Sequence, residues 1–583
     1  MHHSASPNDR ASIDPVTFEV IYHGLDSVVN EMALTVMRTA YSGIVKDSMD
    51  YSTAFCDARG NVIAQGLTII VHLNSFPDAV AAILTGYGDR MEPGDIFVAN
   101  DPYGSGGIHL PDIFVIKPIF IDGELEGFTG STAHHTDVGG LVPGSNSTDS
   151  TEIYQEGIRI PTLKLFARDV PNETLFAIIE KNVRVPHKVL GDIRAQVAAV
   201  NTGERGYRDL VTRYGREMMR NFQRRLLAYT EELVRAEIQE MPDGKYECTG
   251  HIDADNIDAG PLTVQLALTV DGDQMILDFS GSSPQVKAGI NCVPNFTKSA
   301  VLRAVRMTMD PTIPNSSGYH HLIDVRAPEG TIVNCLPPAA MGARGITGFR
   351  ISDVVFGALA KAIPDRVPAD GDGGNTIISI GGYDRDSQPF AYVDLVSGAR
   401  GGRPMEDGPE GVPYPGGNIS NVPVEIAEVE LPIRIEEYSI RADTEGPGKY
   451  RGALSQVRRV RCLADEATLQ LRSDKRRFPP LGLQGGKPGH PSWNILNPGP
   501  EEVMLPTMSV TNMVRDDVIL HIMASGGGWG DPFDRDSGLV RADVWNEKIS
   551  TERARDEYGV VVDSESFEID EAATEALRDS PRP

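Results

Sequence analysis

The sequence of 583 residues contains no long hydrophobic run. Its apolar stretches at 67–73 and 79–84 are far shorter than the roughly 18 residues that a membrane-spanning helix needs. The first 15 residues show no apolar core and no cleavage pattern of a secretory signal. We therefore expect a cytoplasmic protein that does not associate with membranes.

Cysteines are few and widely spaced along the chain. The chain has five cysteines, an odd number, and no C-x-x-C motif: Cys56, Cys248, Cys292, Cys335 and Cys462. This pattern indicates neither a disulfide framework nor a structural zinc knuckle.

Basic residues are also few. The chain has 54 Lys and Arg against 82 Asp and Glu, a formal net charge of −28. Nucleic acids are held by clustered Lys and Arg, so a nucleic-acid partner is not expected. An anionic substrate would need a locally basic pocket, because the overall field repels it.

Common nucleotide and hydrolase motifs are missing. The segment "GLQGGKPG" around Lys487 has the wrong spacing for a phosphate-binding loop, and Pro488 stands where such a loop has Ser or Thr. The chain has no H-E-x-x-H, G-x-S-x-G or EF-hand pattern. The sequence therefore predicts no ATP site of its own.

The length favours several domains, and 40% hydrophobic with 23% charged residues is typical of a folded protein. We predict an α+β, multidomain mixed fold with long helices and several β-rich layers. The predicted divisions are 1–204 (N-terminal helix and a β/loop region with the metal site), 205–335 (long helix and β-rich segment), 336–421 (helix and Gly-rich loop) and 422–583 (β-rich region with a helical acidic tail).

Apolar periodicity locates several elements. A long amphipathic helix should begin at Asp14, because residues from Phe18 to Val36 repeat at helical spacing. From 50 to 200 the pattern of short apolar runs between Gly, Pro and Asp predicts strands and loops, with a hairpin turn at 121–124. A second long helix is predicted at 205–241, and its arginines indicate a solvated face.

Further along, 262–281 reads as a hairpin with an Asp-Gly turn, and 351–363 as a helix that Pro364 ends. A long Gly/Pro loop follows at 397–418. The region after 422 is predicted to be β-rich, with one helix at 540–559 and a frayed acidic end.

One group of residues combines imidazole and carboxylate chemistry. In "GGIHLPD", His109 and Asp112 are three residues apart, and the intervening Pro111 favours a compact turn. The segment "AHHTDVGG" then adds three more candidates, and "KDSMDYS" a fourth upstream: His134, His135, Asp137 and Asp50.

Neutral imidazole with carboxylate is the donor set for Zn, Mn or Fe. The two rings of His134 and His135 should point to opposite faces of an extended segment. The residue types alone leave two interpretations open, a metal site or ordinary hydrogen-bonded loop histidines. For His320 and His321 we predict structural roles. For His72, in "VHLNSF", we predict a buried side chain that makes one hydrogen bond.

The chain resembles the hydantoinase B / 5-oxoprolinase family along nearly its whole length. The resemblance is carried in order by segments that include "MRTAYSGIVKDSMDYSTAFCDARGNVIAQG", "VHLNSFPDAV", "NDPYGSGGIHLPD", "AHHTDVGG", "GDIRAQVAAVNTGERG", "TGFRISDVVFGALAKAIPDRVPADGDGG" and "SGGGWGDP". It implies a subunit of an ATP-dependent enzyme that opens a lactam-type ring.

The resemblance also implies site residues. His109, Asp112 and His134 would be ligands of a divalent metal (Zn, Mn or Fe), with Asp50 a fourth ligand or close neighbour. Asp50, His135 and Asp137 would be candidates for catalysis through proton transfer or substrate contact. Phosphate contact has four candidates: Arg184, Arg194, Arg344 and Arg350.

The implied partner is a hydantoinase A-type subunit that binds ATP and Mg and phosphorylates a small cyclic amide, in an A2B2 heterotetramer. This chain would then hydrolyse the activated ring. Two alternatives differ in class. One is a subunit of an ATP-dependent ketone carboxylase, and the other is a structural partner that only shapes the other subunit's site.

Overall fold

The computed structural model describes residues 13–580 apart from 255, 256, 258, 259 and 375. The polar lead at 1–12, where a secretory signal was not expected, lies outside the described residues. Within the described part, no helix is long and apolar enough to cross a membrane.

The first helix, α1 (Pro15–Thr39), begins where the sequence predicts. The Asp14 side chain accepts a hydrogen bond from the Thr17 backbone N–H, and Pro15 occupies the first turn, where no N–H is needed. One face of α1 is buried: Ile21, Leu25, Val28, Val29, Met32, Ala33 and Val36.

A seven-stranded antiparallel sheet forms the N-terminal layer, in the order β2-β1-β5-β4-β3-β6-β7. Its elements are α2 (Gly43–Lys46), β1 (Tyr51–Asp57), β2 (Val62–Gln65), α3 (Phe76–Tyr87), β3 (Ile96–Ala99), β4 (Asp112–Ile121), β5 (Glu124–His134), β6 (Leu163–Ala167) and β7 (Val170–Pro171). The predicted hairpin turn joins β4 to β5. Asp122 and Gly123 both have positive φ there, as this tight turn requires.

The prediction of strands and loops from 50 to 200 is wrong in two places, at α3 (Phe76–Tyr87) and at its C-terminal end. Residues after 172 form α4 (Glu173–Asn182) and α5 (Pro186–Tyr214) instead. The Asn172 side chain caps α4 by accepting from the Leu175 N–H. Pro186 opens α5 rather than ending a strand, because its missing N–H costs nothing in the first turn.

The second predicted long helix is likewise divided. Gly215, with φ +83, separates α5 from α6 (Arg216–Gln239). α1 and α5 pack against each other and against the first sheet, opposite the face that α3 covers. The sheet is therefore buried on both faces.

A smaller sheet follows α6. It consists of β8 (Gly244–Ile252), β9 (Leu262–Asp271), β10 (Gln274–Asp278) and β11 (Ile323–Arg326), and α7 (Pro294–Arg306) and α8 (Gly345–Ala362) belong to the same region. β9 and β10 form the predicted hairpin, whereas β10 and β11 pair in parallel. α8 packs on β8 and β9 and ends before Pro364, as predicted.

The C-terminal half contains two more antiparallel sheets. Their elements are β12 (Thr376–Tyr383), β13 (Pro389–Val396), α9 (Val424–Glu430), β14 (Ile433–Arg441), β15 (Ser455–Cys462), β16 (Glu466–Arg472), β17 (Trp493–Leu496), β18 (Val503–Leu505), β19 (Met508–Val514) and β20 (Val518–Ile522). The predicted Gly/Pro loop runs between β13 and α9 with only isolated bridges.

The tail differs from the prediction in two ways. The single helix expected at 540–559 is two, α10 (Ser537–Trp545) and α11 (Thr551–Tyr558). The acidic end is not frayed within the described residues: it forms α12 (Glu571–Arg578), capped by the Asp570 side chain.

The predicted α+β architecture of helices and several β layers is confirmed. One connected hydrophobic core extends from Ile21 to Met508, and the C-terminal sheets enclose a second core that includes Leu469 and Ile519. The four-part division of the chain remains a prediction.

Candidate metal centre

A polar cluster lies at the ends of three neighbouring strands of the first sheet. Asp112 begins β4 and pairs in register with His134, the last residue of β5. Tyr51, at the start of β1, pairs with Ala133, and the backbone carbonyl of Asp50 accepts from the His134 N–H at 2.9 Å. Strand register thus brings Asp50, Asp112 and His134 together.

His109 joins this group through the predicted turn. The Asp112 N–H donates to the His109 carbonyl at 3.2 Å, and His109 Nε2 lies 3.0 Å from Asp112 Oδ2. Ligand atoms of His109, Asp112 and His134 all lie within 4.8 Å of one another, and all three residues are buried. This is the spacing that a single bound cation requires of its ligands.

A buried loop fixes the His109 ring. Its Nδ1 lies 3.0 Å from the Gly342 carbonyl, which can only accept, so Nδ1 carries the proton and Nε2 presents a lone pair. Glu156 holds the same loop, because its Oε1 accepts from the N–H groups of Met341 at 2.8 Å and Gly342 at 2.5 Å. This is how outer groups orient a metal-binding histidine.

Two carboxylates in the cluster have opposite pKa shifts. Burial alone would raise the pKa of Asp112, but the positive charge of Arg344 holds it well below its usual range. Arg344 donates to Asp112 Oδ2 at 2.5 Å. Burial and the charge of Asp112 raise the pKa of Asp50 to about 8. Asp112 is therefore the permanent anion of the pair.

The histidines are neutral. Burial, followed by the charge of Arg344, lowers the pKa of His109 to about 4. Burial and the neighbouring His109 hold the pKa of His134 well below its usual range. A neutral imidazole is the form that coordinates a metal, so no histidine proton has to be displaced.

The residues present fit a divalent cation. Five buried side-chain atoms here have no hydrogen-bond partner among the described residues: Asp50 Oδ1, His109 Nε2, Asp112 Oδ1, His134 Nδ1 and His134 Nε2. Each such atom costs about 1–3 kcal/mol when left unsatisfied. A cation bound to several of these atoms would remove that cost. Imidazole nitrogen together with carboxylate oxygen is a donor set that suits Zn, Mn or Fe.

His135 and Asp137 lie outside this cluster. His135 Nε2 contacts Gln196 Oε1 on α5 at 3.1 Å, on the opposite side of the strand from His134. The Asp137 carboxylate accepts from backbone N–H groups and from Arg184 Nη1 at 2.9 Å. Their catalytic roles remain predictions, and the contacts of Asp137 are those of a residue that organises a loop.

Of the four candidate arginines, only Arg344 contacts the cluster. Arg184 pairs with Asp137, and Arg350 pairs with Asp353 and Asp474. Arg194 is exposed on α5. Phosphate contact by any of them remains a prediction.

Sequence reasoning missed three residues at or beside the cluster. Arg472, at the end of β16, is buried, and burial followed by the charge of Arg344 lowers its pKa to about 9. Glu156 supports the loop at 341–342, and His72 Nε2 lies 3.6 Å from Asp112 Oδ1. The only sequence signal was the position of His72 in the motif "VHLNSF"; the other two carry no local signature.

The Hydantoinase B/oxoprolinase model matches residues 14–532, and the chain belongs to this family. The predicted resemblance is thereby confirmed.

Two relatives, a caprolactamase subunit and a 5-oxoprolinase, illustrate the family. Caprolactamase subunit beta of Pseudomonas jessenii is 32% identical over 587 residues, 97% of this chain and 99% of that one. The crystal structure of the ATP-dependent caprolactamase from the same organism matches with a TM-score of 0.91 and 29% identity, covering 98% of this chain and 100% of its own.

5-Oxoprolinase 1 of Arabidopsis thaliana is 27% identical over 542 residues, 89% of this chain but 42% of that longer protein. An acetone carboxylase structure matches with a TM-score of 0.89 at 21% identity, covering 97% of this chain and 82% of that one. At this identity the last likeness establishes the shared fold alone.

Proposed function

We propose that the chain is the metal-holding subunit of an ATP-dependent cyclic amide hydrolase, working with a hydantoinase A-type partner in an A2B2 complex. The observation that carries this proposal is the buried cluster of His109, Asp112 and His134, in which His109 Nε2, Asp112 Oδ1 and both ring nitrogens of His134 have no hydrogen-bond partner among the described residues. Family membership and the likeness to caprolactamase support the reaction class.

The partner supplies the activated substrate in this account. An amide resists water because resonance weakens its carbonyl as an electrophile, and phosphorylation of the lactam oxygen removes that protection. The missing nucleotide motifs in this chain support an ATP and Mg site on the partner.

Ring opening then consumes two water molecules. The first adds to the carbon of the phosphorylated lactam and breaks the ring C–N bond, which leaves an amine and an acyl phosphate. The second releases inorganic phosphate and the carboxylate. His109, Asp112 and His134 would hold the cation, with Asp50 beside them, and the cation would supply Lewis-acid stabilisation of negative charge.

We assign two roles to side chains of this chain: binding of the phosphoryl group and acceptance of a proton from water. Arg344 and Arg472 are buried cations next to the cluster, and we assign them to the phosphoryl group, which must be held inside a protein of net charge −28. We assign proton acceptance from water to Asp50, because its pKa, raised to about 8 by burial and Asp112, makes it the more basic carboxylate.

The test is a substrate screen with the purified complex. Caprolactam, hydantoin and 5-oxoproline would be assayed for ATP-dependent release of the ring-opened product, and ketones for bicarbonate-dependent consumption. We expect ring opening with at least one cyclic amide and none of the ketone reaction. Ketone consumption alone would establish the carboxylase alternative instead.

A matched pair of variants tests whether residues of this chain are required for ring opening. His109→Ala in an intact complex should abolish ring opening, whereas His321→Ala, at an exposed histidine beside Glu231, should leave it unchanged. Full activity in His109→Ala would support the structural-partner alternative and reject the proposal.

A further inference from the structure

His72 lies at the metal cluster although no motif assigns it a role there. It belongs to a short 3-10 helix, Ile70–Ser75, and its side chain is 2% exposed. Its Nε2 lies 3.6 Å from Asp112 Oδ1 and 3.8 Å from Asp50 Oδ1. Both distances exceed the roughly 3.2 Å limit of a good hydrogen bond to oxygen.

Ser52 decides which ring nitrogen carries the proton. The Ser52 hydroxyl donates its single hydrogen to the Ile69 carbonyl at 2.6 Å. Its contact with His72 Nδ1 at 3.1 Å must therefore be a bond that Nδ1–H donates to the Ser52 oxygen. His72 Nε2 consequently has a bare lone pair, and it faces the cluster.

The carboxylate atoms that face His72 are those that lack partners. Asp112 Oδ2 is occupied by Arg344, whereas Asp112 Oδ1 and Asp50 Oδ1 have no hydrogen-bond partner among the described residues. These are the two oxygens that lie 3.6 Å and 3.8 Å from His72 Nε2. His72 Nε2 and Asp112 Oδ1 therefore face each other as two electron-pair donors with no hydrogen between them, an arrangement that a cation stabilises.

We propose that His72 is a further ligand of the cation, alongside His109, Asp112 and His134, and that Ser52 orients its ring for this role. The proposal rests on the metal centre of the proposed function. It parallels His109, whose Nδ1–H is likewise held by an oxygen acceptor so that Nε2 points inward.

The test measures binding of Zn²⁺ by the full-length chain in competition with a chromophoric chelator. We expect His72→Ala to weaken Zn²⁺ binding at least about tenfold, in line with the loss seen when a ligand's support is removed. Ser52→Ala should weaken it less, because the ring remains but its tautomer is no longer fixed. His321→Ala is the control and should bind like the wild type.

His109→Ala separates the two proposals. If His109→Ala loses Zn²⁺ binding and His72→Ala keeps wild-type affinity, the inference about His72 is wrong and the proposed metal centre stands. If His109→Ala also keeps wild-type affinity, the metal centre itself is rejected.

A spectroscopic readout on the unaltered chain covers the case in which His72→Ala fails to fold. Pulsed electron paramagnetic resonance of the Cu²⁺-loaded chain reports coordinated imidazoles. We expect signals from the three rings of His72, His109 and His134. Signals from two rings only would overturn the proposal.

Discussion

Around Asp112, the N–H donors of Arg344 and His109 already have acceptors, whereas Asp112 Oδ1 and His109 Nε2 have no partner among the described residues. Arg344 donates to Asp112 Oδ2, and the His109 Nδ1–H donates to the Gly342 carbonyl. The Asp112 carboxylate therefore has two roles. Its Oδ2 pairs with the buried guanidinium of Arg344, and its Oδ1 faces the cluster.

Asp112→Asn tests both roles of the carboxylate at once. The amide removes the negative charge and leaves Arg344 buried without its counter-ion, and breaking a buried pair in this way costs about 3–5 kcal/mol. We expect the free energy of unfolding to fall by that order and Zn²⁺ binding to be lost, measured by denaturant titration and chelator competition.

Asp324→Asn is the matched control. Asp324 is half exposed and pairs with Arg326 on the surface of β11, so its loss should change stability by less than about 0.5 kcal/mol. Wild-type Zn²⁺ affinity in Asp112→Asn would refute the assignment of Asp112 as a ligand.

Glu156 provides a pH-dependent test of the loop that orients His109. Burial raises the pKa of Glu156 to about 8, against the opposing effect of the N–H groups of Gly342 and Met341. The folded state thus binds the Glu156 proton more tightly than the unfolded chain does. Its stabilising contribution is complete below the ordinary carboxyl pKa and is lost as the pH rises through about 8.

Glu156→Gln keeps the acceptor oxygen but cannot ionise. Between about pH 5 and pH 8 the wild type should lose stability relative to Glu156→Gln, with a limit of about 1.4 kcal/mol per unit of pKa difference. Denaturant titrations of the metal-free proteins at several pH values measure this. Parallel pH profiles for the two proteins would show that Glu156 is ionised throughout.

At the scale of elements, patterns with a local cause were predictable. Asp14 with Pro15 fixed the start of α1, and Asp122-Gly123 fixed the hairpin of β4 and β5. Helices α4 and α5 were missed because their apolar residues lie between Pro and Asn residues that resemble strand breaks. In fact Asn172 caps α4 and Pro186 opens α5.

The site was predictable to the extent that its residues share a motif. His109, Asp112 and His134 stood in segments that resembled a known family, and strand register brings them together. Arg472 reaches the site from β16 of a different sheet, and such long-range placement leaves no local pattern in the sequence. The position of Arg472 beside the site can be seen only in the folded structure.

Close packing of α1, α5 and β5 gives a test at this scale. A Cβ on Gly203 of α5 would lie 2.4 Å from Met32 Sδ and 2.6 Å from Thr129 Cγ2. Gly203→Ala should therefore destabilise the chain by about 1–3 kcal/mol through overpacking. Gly86→Ala in α3, where nothing lies within 4 Å, should be neutral or stabilising. Thermal unfolding compares the two, and equal behaviour would contradict this packing.

At the scale of the whole molecule, the chain combines a strongly acidic overall charge with a buried site flanked by Arg344 and Arg472. It carries no nucleotide-binding motif, although we propose ATP-dependent chemistry. Activity should consequently depend on the partner subunit rather than on this chain alone.

ATP turnover tests that dependence. The isolated chain should neither bind ATP in calorimetry nor hydrolyse it, and the complex with its partner should do both when a cyclic amide is present. ATP hydrolysis by the isolated chain, abolished by a substitution in this chain, would mean that the ATP site has been placed on the wrong subunit.

The central claim is that His109, Asp112 and His134 hold a divalent cation required for ring opening. Elemental analysis of the purified complex, paired with its rate of ATP-dependent ring opening before and after chelation, tests this most directly. We predict about one cation per copy of this chain, and parallel loss and recovery of metal and activity. A complex that is free of metal and opens the ring at its full rate would contradict the claim.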